Sequence, residues 1–395
     1  MTILKICGTV KKLRRIKPNK KIQFLKNGVL LLMTVIAFLV ILEILLRIFF
    51  PQNLNITRVD SDKIFELKPN IASVLRRQEF KTHVKINSQG LRDKEYELKK
   101  PDNTVRIAVV GDSFVFGFGV ELNETIVKIL ESKLNSRLSK KRYINYEVMN
   151  FGVSAYGTEQ EYILIKNKVI TYSPNIIILA FVPNDFKENV KFNLFDVKNG
   201  ALIRNPPQKI TSLLKLRNYI SWHSHLYSLV YSSIIDNQKL RDFFIKAKLL
   251  NPPYKNPNTD FDSLIYLNSK NQEFDYTVNK TLFLLNAINN IAKKNNIELV
   301  IFLVPTREQV DNNKMKDYIK SNKLPFEKLN ITKVQEIIMA VQKENVIIID
   351  PLDLFNKYNK NNTFYYNVDG HWNAKGHQFA ADILYEKLIN MGIVS

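Results

Sequence analysis

The sequence of 395 residues contains a single cysteine, Cys7. An intrachain disulfide and a cysteine-built zinc site are therefore excluded. Catalysis would have to use hydroxyl, imidazole, amide or carboxylate groups. Histidine is also scarce, and no His-Glu-x-x-His pair occurs; His223-Ser224-His225 alone reads as packing rather than as a metal pair. Glycine numbers only 12, with no Gly-x-Gly-x-x-Gly. Gly111 and Gly117 are separated by five residues and followed by Phe118, where a phosphate-binding P-loop needs four and then Gly-Lys-Ser/Thr. Position 115 is Val115, so the Gly-x-Ser-x-Gly elbow is missing as well. Neither a cofactor nor a metal is expected.

Acidic residues are absent from positions 1–26, which carry nine lysines and arginines of a chain whose net charge is +21. Overall 45% of residues are apolar and 24% charged, a balance that excludes a disordered or fibrous chain. From Gly28 to Phe50 the chain is uncharged up to Leu42 and then interrupted only by Glu43 and Arg47. As a helix this stretch is about 35 Å long, enough to cross a hydrocarbon layer of about 30 Å. Glu43 and Arg47 are one helical turn apart and can pair near its end. A cleaved leader would need small residues at the cut, and FFPQNLNITR follows instead. The expectation is an uncleaved single-pass anchor in the cytoplasmic membrane at 27–50, preceded by a cytoplasmic basic arm at 1–26. The excess of positive charge before the span puts everything after it outside the cytoplasm. The arm has one aromatic residue, Phe24, and no series of them interleaved with its cations for stacking on bases, so it reads as a contact to lipid headgroups, not to nucleic acid.

Residues 51–100 are mixed and polar. The alternation Phe80-Lys81-Thr82-His83-Val84-Lys85-Ile86, followed by Asn87-Ser88-Gln89-Gly90, predicts an edge strand and a turn within a connecting segment. The main domain, 101–395, then alternates apolar strands with amphipathic stretches. Strands are expected at 107–110, 146–149, 176–181, 299–304 and 346–349, and helices near 123–139, 157–170, 276–294 and 330–343 and after Asn373. Such alternation predicts an α/β fold, a five-stranded parallel sheet covered on both faces in three layers. Residues 190–275 interrupt the rhythm, show no clear strand, and read as an insertion of helix and loop over one end of the sheet, either a lid or a structural addition.

Ligand sites in open α/β sheets form at the carboxyl ends of strands. Gly111-Asp112-Ser113 follows the first strand, Asn150-Phe151-Gly152 the second and Asn184-Asp185 the third, while Asp369-Gly370-His371 precedes the last helix. A serine, two groups able to donate to an oxyanion and an Asp/His pair thus converge on one edge. A serine hydroxyl becomes a nucleophile when an imidazole takes its proton and a carboxylate orients that imidazole. Individually, Ser113 and Asp369 also fit helix caps and Asn184 a turn; their joint order and placement favour chemistry.

GDSFVFG at 111–117, Gly152, Asn184-Asp185 and DGHWNAKGH at 369–377 resemble, in order, the four blocks of the SGNH/GDSL hydrolase superfamily, whose fold is flavodoxin-like. INSQGLRD before them, with one preceding span, is similar to the anchored bacterial branch associated with acyl groups on cell-surface polysaccharides. The resemblance implies Ser113 as nucleophile, His371 as general base and Asp369 as its orienting carboxylate, with an oxyanion hole made of the Ser113 and Gly152 N–H groups and the Asn184 side chain. This chain has Asp-x-His where many members have Asp-x-x-His, and Val182-Pro183 where the third block often begins with glycine. The implied activity is a serine esterase or O-acyltransferase acting on acyl, mainly acetyl, esters of an extracytoplasmic glycan, with a membrane acyl-donor partner in the transfer case. The alternative is a non-catalytic polysaccharide-binding or assembly protein that keeps the fold. Asp112 and Asp185 are expected to brace loops, His377 to be structural, and Tyr156 and Trp372 to pack in the core.

Overall fold

The computed structural model describes residues 20–139, 144–247, 260–341, 346–359 and 363–394. Cys7, most of the basic arm and residues 248–259 lie outside them. The described chain divides after Gln52 into two units. In the first, a helix α1 (Lys20–Phe49) is apolar and long enough to cross a membrane. Arg47 pairs with Glu43 at 2.8 Å one turn earlier on its surface.

The second unit is built on five parallel strands: β5 (Thr104–Gly111), β6 (Asn145–Gly152), β7 (Ile176–Phe181), β10 (Glu298–Leu303) and β11 (Ile347–Ile349), in the order β11-β10-β7-β5-β6. All five begin within three residues of the apolar runs in the sequence. A parallel strand is buried on both sides, so it must be apolar at consecutive positions. Along β5, Ile107 and Val109 enter one core and Ala108 and Val110 the other. The first core includes Leu130 of α3 (Ile126–Leu134) and Ala380 and Leu384 of the C-terminal helix Ala374–Asn390; the second includes Leu164 of Thr158–Asn167 and Leu285 and Ile288 of Gln272–Lys294. The three expected layers are present.

One expectation changes, and it concerns the insertion. The strand expected from the alternation at 80–86 is β4 (Lys81–Ile86), which pairs antiparallel with β3 (Ile71–Arg76) in a two-stranded hairpin that follows a first hairpin of β1 (Thr57–Asp60) and β2 (Ile64–Leu67). Its alternate residues Thr82, Val84 and Ile86 are buried, so its side chains face the core while its hydrogen-bonding edge is taken by β3. The insertion does contain strands: β8 (Phe195–Lys198) and β9 (Ala201–Arg204) are joined by Asn199-Gly200. Both turn residues have positive φ, 50° and 73°, which is the two-residue hairpin that Asn-Gly favours. The helices that follow turn toward the first hairpin. Trp222 donates from Nε1 to the Thr57 carbonyl at 2.7 Å, and Asn55 N–H to the Ser221 carbonyl at 3.1 Å.

Candidate active site

β5 ends at Gly111, in register with Gly152 of β6 and Ala180 of β7. There the chain turns sharply into a one-turn helix, α2 (Ser113–Phe116). The Asp112 carboxylate caps this turn by accepting the Phe114 N–H at 2.9 Å, and Gly117 closes it at φ +81°. Ser113 is held at the carboxyl edge of the sheet with its N–H in the first helical turn, where backbone donors lack intrahelical acceptors.

His371 arrives from the loop before the last helix. Its Nε2 lies 2.8 Å from Ser113 Oγ, and its Nδ1 is hydrogen-bonded to Asp369 Oδ1. Phe114 and Phe118 flank the imidazole with ring centroids 5.1 and 5.0 Å away, which fixes the ring plane. Burial acts to raise the Asp369 pKa, but the hydrogen bond and charge of His371 outweigh it and hold the carboxyl below its ordinary value. Serine, imidazole and carboxylate therefore form one hydrogen-bonded chain.

The oxyanion groups are placed differently from expectation. Asn184 does reach the site, but its Nδ2 donates to Asp112 Oδ2 at 3.2 Å. Gly152 donates its only N–H to Asn150 Oδ1 at 2.9 Å, so in this structure that group points into the protein. The requirement for glycine at 152 is steric: a Cβ there would lie 2.1 Å from the Phe116 nitrogen, where β6 passes under α2. The Ser113 N–H and the second proton of the Asn184 amide are the donors left for a substrate oxygen.

Behind Ser113 sit three fully buried carboxyl groups, Asp112, Glu161 and Asp185. Burial raises the pKa of each and pushes Glu161 and Asp185 well upward, with the charges of neighbouring carboxylates adding to it. Neither oxygen of Glu161 has a hydrogen-bond partner among the described residues. Asp112 Oδ2 lies 3.2 Å from both Ser113 Oγ and Asn184 Nδ2 and so holds the two side chains together.

Three positioning residues were not singled out from sequence. Glu79 accepts the N–H groups of Asn367, Val368 and Asp369 at 2.7, 2.8 and 2.9 Å, pinning the turn that carries His371. Arg92 is buried and donates to the carbonyls of Phe116, Gly117 and Val120 at 3.0, 2.6 and 2.7 Å, tying INSQGLRD to the loop after Ser113. Asp93 accepts the Asn150 N–H at 2.8 Å and so ties the same segment to β6. Only long-range contacts reveal Glu79; its nearest partner is 288 positions away. His377, by contrast, lies within the last helix, buried, with Nδ1 accepting the Ile126 N–H at 3.3 Å. Tyr156 and Trp372 are both core residues. Among the described residues no cluster of histidine, cysteine or carboxylate groups is arranged to hold a metal.

A parallel α/β sheet carrying a hydrogen-bonded Ser-His-Asp chain at its carboxyl edge defines the class as serine-hydrolase-like. Residues 267–391 match the family described as the SGNH hydrolase-like domain of acetyltransferase AlgX. Solved structures that align with it include the acetyl xylan esterase AlAXEase (14% identity, 72% of this chain and 100% of that chain, TM-score 0.39). Others are the esterase EstA from Pseudoalteromonas sp. (14%, 74% and 100%, TM-score 0.38) and a lipase/acylhydrolase from Enterococcus faecalis (11%, 73% and 96%, TM-score 0.37). No curated protein matches the sequence.

Proposed function

We propose that this chain is a membrane-anchored serine esterase or O-acyltransferase that handles ester-linked acyl groups, mainly acetyl, on a glycan outside the cytoplasm. The observation that carries the reading is the chain from Ser113 Oγ through the His371 imidazole to Asp369. Ser113 Oγ attacks the acyl carbonyl as its proton passes to His371 Nε2. The tetrahedral oxyanion meets the Ser113 N–H and the Asn184 amide. His371 returns the proton to the departing alcohol, leaving the acyl group on Ser113. Water then completes hydrolysis, or a sugar hydroxyl completes transfer, with His371 again taking and returning the proton. Asp369, held ionised, fixes the imidazole tautomer and stabilises its cation.

One observation favours a second reading, a glycan-binding protein that retains the fold: the Gly152 N–H and one Asn184 amide proton are spent on internal partners. The deciding experiment uses the full chain in detergent with 4-nitrophenyl acetate and a fluorophosphonate probe. Turnover with labelling of Ser113, both abolished in Ser113→Ala, is the expected result. Labelling that persists in Ser113→Ala would overturn the nucleophile assignment, and silence in both assays would favour the binder. An added saccharide acceptor, with acyl-sugar measured against free acid, separates transfer from hydrolysis.

A further inference from the structure

A cavity of about 710 Å³ lies between the first hairpin, the end of Asp185–Phe192 and the helices of the insertion. It shares no lining residue with Ser113, His371, Asp369 or Asn184, and its volume falls in the range that holds small ligands. Four cations line it, Arg58, Lys191, Arg217 and Arg241, and no acidic residue does among the described residues. Two of the four are already matched from outside the lining: Arg58 by Glu66 at 2.7 Å and Lys191 by Glu188 at 2.8 Å. The Arg217 guanidinium lies 5.9 Å from the Tyr231 ring centroid, and Arg241 reaches the Ile235 carbonyl at 3.4 Å. Neither has a carboxylate partner among the described residues, which leaves an excess of two positive charges among the described groups that line the cavity.

That excess selects the ligand. One carboxylate is matched by one guanidinium, whereas a phosphate monoester carries a charge of about −1.5 to −2 and three acceptor oxygens, which suits two arginine forks. The rest of the lining is apolar at Ile64, Phe65 and Ile245, with the Tyr231 ring and the Asn218 amide beside them. This is a surface for a ring or hydrocarbon body attached to the phosphate, not for inorganic phosphate alone. We propose that the cavity binds a phosphate monoester of a lipid or a sugar, the phosphate seated on Arg217 and Arg241. The site requires no turnover at Ser113, so its test is independent of the acyl chemistry.

Two probes distinguish the sources. Glucose 1-phosphate is titrated calorimetrically into the full chain in phosphatidylcholine nanodiscs, with glucose as the neutral control. In parallel, melting is compared between nanodiscs with and without phosphatidic acid. We expect one probe to respond, and Arg217→Gln/Arg241→Gln to weaken glucose 1-phosphate at least 10-fold or to abolish the phosphatidic-acid stabilisation. The basic arm is unchanged in that variant, so any lipid response it alone supplies would survive. The single variant Arg241→Gln serves if the double variant does not fold. Hydrolysis of 4-nitrophenyl acetate should be unaltered in these variants. No response to either probe, or an equal response in the variants, overturns the proposal.

Discussion

Replacing Arg92 with methionine tests whether the segment before the main sheet holds the nucleophile turn in place. Methionine keeps much of the aliphatic stem and removes the guanidinium, leaving the carbonyls of Phe116, Gly117 and Val120 without the donor they share. A buried acceptor left unsatisfied costs about 1–3 kcal/mol. Against that loss, the variant no longer buries a cation, a burden visible in the Arg92 pKa, which burial pushes down to about 10. The Gly117 carbonyl keeps the Val120 N–H at 3.3 Å, so two acceptors stand against that relief, for a net destabilisation of roughly 2 kcal/mol. At about 2 °C per kcal/mol for a large domain, melting should fall by about 4 °C. The consequence should also reach the site, because the Gly117 and Phe118 N–H groups both bond the Ser113 carbonyl at 3.0 Å. A shift of the turn by about 1 Å is enough to cost up to roughly 100-fold in rate. Thermal unfolding followed by circular dichroism, and the rate of fluorophosphonate labelling on folded protein, measure the two effects. Melting within 1 °C of the parent together with unchanged labelling would refute the reasoning.

Asp369→Asn should leave KM for 4-nitrophenyl acetate nearly unchanged and lower kcat, by up to roughly 10⁴-fold if the serine-protease precedent transfers; a kcat within threefold of the parent would remove Asp369 from the mechanism. Because the Asp369 pKa is held below its ordinary value, that carboxylate takes up its proton only at lower pH than an ordinary aspartate. Gly152→Ala should cost folding outright or several kcal/mol, since its Cβ would lie 2.1 Å from the Phe116 nitrogen; parental melting and labelling would show that β6 can shift away at little cost. Burial pushes the His377 pKa down from 6.5 to about 3, so below 6.5 the unfolded chain takes up a proton that the folded chain refuses. Stability is then lost on acidification at about 1.4 kcal/mol per pH unit, over the window from about 6.5 to about 3. Urea unfolding at pH 7 and pH 4 should show a smaller acid loss in His377→Gln than in the parent, and equal losses would contradict that assignment.

The sequence by itself determined the elements whose information is local. Strands buried on both faces must be apolar at consecutive positions, so Ile107–Val110 and Ile176–Phe181 were legible as parallel strands, and the apolar run from Gly28 as one long helix. The order of strands and the rule that ligands sit at their carboxyl ends brought Ser113, Asn184 and the Asp369–His371 turn to one edge before any coordinate did. The hairpin at Asn199-Gly200 was not read from the sequence, because the short strands on either side of it carry no sustained apolar alternation. Tertiary structure alone decided what depends on contacts between distant segments. Glu79 meets the Asp369 turn across 290 positions and Arg92 meets the Ser113 loop across two dozen, and neither leaves a periodic trace in the sequence. It likewise decided where each donor points. Asn150 captures the Gly152 N–H because a buried N–H bonds the nearest acceptor the packing offers, and only the folded backbone sets which acceptor that is.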